Sequence, residues 1–153
     1  MTSRRDFLIA AGSLAGGFGL VSAARQARAT PAAAQDAIRT MTGGAPVRRG
    51  RVKLEISPLV DNGNAVPLSV TVESPMTQAD YVKAIHVFAE QNPLPNVVSA
   101  YLGPRSGRAL LATRVRVADT QTVVAIAQMS DGSFWSGSAD VVVTLSACLE
   151  GPV

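Results

Sequence analysis

Val66-Pro67-Leu68-Ser69-Val70-Thr71-Val72-Glu73 is the stretch whose reading decides the fold. Apolar residues at 66, 68, 70 and 72 alternate with Pro67, Ser69, Thr71 and Glu73, and successive side chains of a strand point to opposite faces, so all four apolar ones share a face. Half-buried antiparallel sheet is the natural reading. Moving outward, 52–56, 81–89, 97–102, 109–117, 122–129, 134–135 and 140–145 are further strand candidates. Turn clusters separate them: Asp61-Asn62-Gly63-Asn64, Asn92-Pro93-Leu94-Pro95-Asn96, Gly103-Pro104-Arg105-Ser106-Gly107 and Asp131-Gly132.

About seven or eight strands at intervals of roughly ten residues, with no long helix-period segment, predict an all-β, immunoglobulin-like antiparallel β-sandwich over residues 51–146. Trp135, Val141, Val143 and Leu145 are expected to pack in its core or on its sheets. Ahead of it, 30–50 is small, polar and punctuated by Pro31 and Gly43-Gly44-Ala45-Pro46, and reads as a loosely attached leader. A short helix over 32–41 gains only a weak face from Asp36, Ile38 and Met41, so a docked helix and a disordered linker both remain open.

The chain has 153 residues, 47% of them apolar and 16% charged, with a formal charge of +3. That excess sits at the front. Residues 1–29 hold Arg4, Arg5, Arg25 and Arg28 against Asp6 alone, which leaves ten basic and ten acidic residues in the rest and removes the case for phosphate binding. Ser3-Arg4-Arg5-Asp6-Phe7-Leu8, an apolar Gly/Ala-rich run and Ala27-Arg28-Ala29 together look like a twin-arginine export signal. The run 7–24 carries four glycines and is a poor membrane span. A periplasmic protein exported in the folded state is expected, and folded export calls for either a cofactor inserted beforehand or a partner assembled beforehand.

One His and one Cys cannot furnish a blue-copper site, a four-ligand zinc site or a Cys-ligated iron–sulfur cluster. No CxxCH, GxGxxG or GxxxxGKS run is present, so no resident cofactor is expected and a partner subunit is favoured. His86, between Ile85 and Val87 on a strand candidate, reads as a solvent-facing or locally hydrogen-bonded imidazole. Cys148 lies three residues beyond Leu145 in a C-terminal tail, 147–153, with a reach of about 10 Å at ~3.3 Å per residue. A lone thiol in an oxidising compartment dimerises or over-oxidises unless it is used. Its chemistry is exchange at sulfur, forming an adduct that a tail can present to another protein. The enzymatic competitor is a Cys148–His86 dyad, but a tail is a poor support for near-attack geometry.

Gly63-Asn64-Ala65-Val66-Pro67, Ser74-Pro75-Met76, Ala79-Asp80-Tyr81-Val82-Lys83, the run from Ile85-His86-Val87-Phe88 through Gln91-Asn92-Pro93-Leu94-Pro95, and Met129-Ser130-Asp131-Gly132-Ser133 are similar to the thiosulfate-oxidation carrier family SoxY. The likeness covers most of 51–145, in order. It implies a periplasmic immunoglobulin-like protein that forms a heterodimer with a SoxZ-like subunit and carries sulfur intermediates on a C-terminal cysteine, here Cys148. It further implies transient docking with a SoxAX-like haem enzyme that attaches thiosulfate, a SoxB-like hydrolase that releases sulfate and, where present, a SoxCD-like enzyme that oxidises the remaining sulfur. The carrier itself catalyses none of these steps. The family's arm reads Gly-Gly-Cys-Gly-Gly, whereas this chain has Ser146-Ala147-Cys148-Leu149-Glu150-Gly151-Pro152-Val153. Glycines give a thin, free backbone, and their replacement leaves two readings: a carrier with an altered arm, or a binding or scaffold subunit that has lost the shuttle role.

Overall fold

The computed structural model describes residues 30–145, and β4 (Val66–Val72) realises the alternation in its burial. Val66, Leu68, Val70 and Val72 are buried, and Pro67 and Thr71 are exposed. Each apolar side chain so removed from water contributes about 1.5–3 kcal/mol. β4 is the middle strand of a three-stranded sheet, antiparallel to β2 (Val52–Ile56) and β7 (Leu110–Val115). Pairing with β2 ends at Ile56 opposite Leu68, one residue short of Pro67. Pro67 thus has a strand partner on one side only, which is where a residue without an N–H is tolerated.

The second sheet has the order β1 (Val47–Arg49), β9 (Phe134–Leu145), β8 (Gln121–Met129), β5 (Val82–Ala89) and β6 (Asn96–Tyr101), with β3 (Leu59–Asn62) also beside β9. Val82, Ile85, Val87, Val123, Ala125, Ala127, Val141 and Val143 from this sheet meet the inner face of the first, and Trp135 packs half-buried against the same core. The β-sandwich expected from the sequence is present.

Its sheets are not purely antiparallel, which corrects the sequence reading. β1 and β3 both run parallel to β9, along successive parts of it. A hairpin forces antiparallel neighbours, but here the chain leaves the edge of β9 after β1, passes through β2 in the other sheet and returns as β3 in the same direction. Gly50 at φ 116° and Arg51 at φ 57° make the first corner. The guanidinium carbons of Arg48 and Arg51 lie 5.7 and 5.6 Å from the Trp135 ring centre, pinning that corner to the core. The candidates 134–135 and 140–145 are one twelve-residue strand, β9. A Cβ on Gly137, in its middle, would collide with the Val52 carbonyl oxygen, so the glycine there marks the crossing of β2 rather than a break.

The stretch taken for a loose leader contains α1 (Pro31–Thr42), a helix with both ends closed. The Thr30 hydroxyl accepts from the Ala33 N–H at 3.2 Å, Pro31 opens the first turn, and Gly43 at φ 63° ends the last. Its buried side runs through Ala34, Ala37, Ile38 and Met41, and covers Phe88, Ile126 and Phe134 on the outer face of the second sheet. Asp36 is not part of that face. It pairs with Arg39 in solvent.

Candidate functional site

Cys148 and residues 1–29, where an export signal is expected, lie outside the described residues; β9 carries the chain to Leu145, three residues before Cys148. Where β9 ends is set by register. Gln121, the first residue of β8, stands opposite Val141, so β9 continues past β8, and Asn62 at the end of β3 stands beside Leu145. The chain therefore leaves the end of the sandwich that also carries the β5–β6 connection, 90–95, and the β7–β8 connection, 116–120.

Buried amides tie these connections together. Asn92, buried, donates to the Arg116 carbonyl at 2.7 Å and accepts from the Ala118 N–H at 2.9 Å and from Gln121 Nε2 at 3.0 Å. Gln121, also buried, accepts from the Gln91 N–H at 2.7 Å and donates to the Asp119 carbonyl at 3.0 Å. The Thr120 hydroxyl accepts from the Val143 N–H at 3.0 Å, joining β9 to the same set. Gly63 closes the platform: its carbonyl accepts from the Val117 N–H at 2.8 Å, and a Cβ on it would strike the Val117 carbonyl oxygen. A fully satisfied polar network in low dielectric is stiff, so the end of β9 is held on a fixed base. Sequence reasoning assigned Asn92 only to a turn and did not single out Gln121. The available signal was an amide pair, Gln91-Asn92, set against two prolines.

His86 lies elsewhere. It is buried on the outer face of the second sheet, with Nδ1 2.8 Å from Ser99 Oγ and its ring edge-on to Tyr101 at 6.0 Å. Of the two environments expected for it, the locally hydrogen-bonded one is found. Burial lowers its pKa from the ordinary 6.5, so the neutral imidazole prevails at neutral pH. Ile126 pairs with both His86 and Ser136, and Leu145 is nine residues farther along β9, about 30 Å at ~3.3 Å per residue. Three residues beyond Leu145 span at most about 10 Å, well short of that separation.

Among the described residues no three His, Cys, Asp or Glu side chains are grouped as a metal site, and no helix is long and apolar enough to cross a membrane. A groove of about 410 Å³ beside β1 is lined by Arg49, Glu90, Thr122, Ser136 and Ser138.

The model of the sulfur oxidation protein SoxY family matches residues 38–148. The sulfur carrier protein SoxY from Chlorobium limicola f thiosulfatophilum is a similar solved structure, with TM-score 0.61 and 26% identity over 72% of this chain and 96% of that one. Superoxide reductase (neelaredoxin) from Ignicoccus hospitalis follows at TM-score 0.54 and 15% identity, covering 61% of this chain and 80% of its own. A putative superoxide reductase from Thermotoga maritima gives 0.53 and 19%, covering 65% and 89%. The likeness to the two reductases is one of fold alone. No curated protein matches the chain.

Proposed function

Because the chain belongs to the SoxY family of sulfur oxidation proteins, we propose that it is a periplasmic sulfur carrier that holds thiosulfate-derived intermediates covalently on Cys148. The observation that carries this reading is that the family match runs past the last described strand and ends on residue 148, the position of the chain's one cysteine. A rigid sandwich with the cysteine three residues beyond β9 suits a carrier: the body is held still while the thiol is presented to other proteins.

The chemistry follows from the thiol. Its reference pKa is near 8.5, so a partner enzyme has to draw off the proton. Thiosulfate is joined to the thiolate by forming one S–S bond with loss of two electrons, passed one at a time through the haem of a SoxAX-like partner to an external electron acceptor. Water then attacks the terminal sulfone sulfur at a SoxB-like hydrolase, releasing sulfate and two protons and leaving a persulfide on Cys148; a SoxCD-like enzyme oxidises that sulfur where it is present. The carrier is the substrate of these steps and not their catalyst, with no cofactor of its own. Export through the twin-arginine segment, 1–29, takes place after folding and pairing with a SoxZ-like subunit.

The replaced arm glycines favour one other reading, a scaffold subunit with the fold and partner surface but no cargo. Leu149 adds bulk, Pro152 stiffens the end, and Glu150 sets a negative charge beside an anionic adduct. Intact-mass measurement of protein from cells grown on thiosulfate separates the two. Thiosulfonate or persulfide masses that disappear in Cys148→Ser are expected of a carrier; a thiol that stays unmodified during turnover selects the scaffold.

A further inference from the structure

We propose that the end of the sandwich where β9 finishes is a docking face for the haem enzyme that loads Cys148, with Leu94 as the anchor that enters an apolar recess beside its active-site mouth; this rests on the carrier reading above. Single exposed apolar side chains are ordinary on a protein surface and need no explanation. Leu94 differs in how it is held. It is 79% exposed, yet it sits between Pro93 and Pro95, whose rings restrict the backbone on both sides. The Ala89 N–H donates to the Pro95 carbonyl at 2.8 Å, closing the loop, and buried Asn92 locks its base to the β7–β8 connection. The fold thus spends a satisfied buried network on presenting a leucine to water. A loop backbone already fixed in place loses little entropy on docking, which is a condition for a useful anchor.

Placement identifies the occupant. Among the described residues five large apolar side chains are exposed, and three of them, Leu59, Leu94 and Val142, lie toward the end where the chain departs to Cys148. Leu59 and Val142 are direct neighbours across β3 and β9, on one side of the exit, and Leu94 is on the other side, beyond β8. From β9 to the β5–β6 connection is two to three strand spacings, about 10–14 Å at ~4.8 Å each. The thiol reaches about 10 Å from Leu145. A protein that covers both needs a patch of roughly 30 Å, the size of an ordinary specific interface of about 800 Å² per partner. An enzyme that swallows the tail must press against this end, whatever else the body binds.

The test is the loading of Cys148 by the purified haem partner, with thiosulfate present and carrier concentration varied. Leu94→Asp should raise KM for the carrier by about tenfold with kcat unchanged, since it removes an interaction made equally in the encounter and in the reaction. Melting temperature and the rate at which a small disulfide reagent labels Cys148 should stay at the unaltered values. Leu110→Asp, at an exposed apolar residue of the opposite end, is the control and should leave KM unchanged. A Leu94→Asp KM within twofold of the unaltered protein overturns the docking face alone, as does an equal rise in Leu110→Asp. An unaltered carrier that takes up no adduct overturns the carrier reading beneath it.

Discussion

Two apolar cores hold this molecule, and they are built differently. Between the sheets, the core draws on strands such as β4, in which buried and exposed residues alternate, and valine is its commonest member, with alanine and methionine filling between. On the outer face of the second sheet, Phe88, Ile126 and Phe134 form a smaller core roofed by Ala37, Ile38, Met41 and Ala45 from α1 and the loop after it. The first core defines the sandwich; the second fastens one helix to a completed sheet. Loss of a side chain should therefore be felt globally in the first and locally in the second.

The sharpest contrast is between Ile85 and Ile38. Ile85→Ala, at a fully buried position of β5, is expected to cost about 2–5 kcal/mol, read as a lower urea midpoint with unchanged slope. Ile38→Ala, half-buried in α1, should cost about 1–2 kcal/mol, because only part of its area leaves water. It should speed amide exchange in α1 while the β5 amides keep their protection. Equal losses of protection in both elements would show that the two cores are one cooperative unit.

The smallest effect concerns His86, on the same outer face as the helix core. Its folded pKa lies below the unfolded 6.5, so between those two values the unfolded chain binds more protons and stability rises with pH. The contribution is complete above 6.5 and is lost as pH falls through the lowered folded value. Urea midpoints taken between pH 7.5 and 5 should show this slope, and His86→Gln should remove it.

Much of the main core was legible because alternation is a local property. Val66, Leu68, Val70 and Val72 reveal their shared face without reference to any other strand. The smaller core was illegible for a definite reason. Half of the α1 contact face is alanine, which carries little hydropathy, and Phe88, Ile126 and Phe134 are read as strand residues with no sign that their outer side is covered. β1 and β3 were missed because three or four residues with arginine, aspartate or asparagine among them show no period. The candidate site divides in the same way. Cys148 stands out by being alone and late in the chain, whereas the network at the end of β9 joins Asn92 to Gln121 and Thr120 to Val143, contacts made 23 to 29 residues apart.

By itself the sequence determined the faces of the long strands, the presence of a terminal thiol and the charge-neutral body behind an export-like front, all of which follow from residue type and spacing. Only the tertiary structure decided that β1 and β3 run parallel to β9, that α1 is fastened to the sheet, that His86 is far from the end of β9, and which loops surround that end. A side chain's face is fixed by the geometry of its own strand, but which strands meet, and in what register, depends on burial summed over distant segments that no local pattern records.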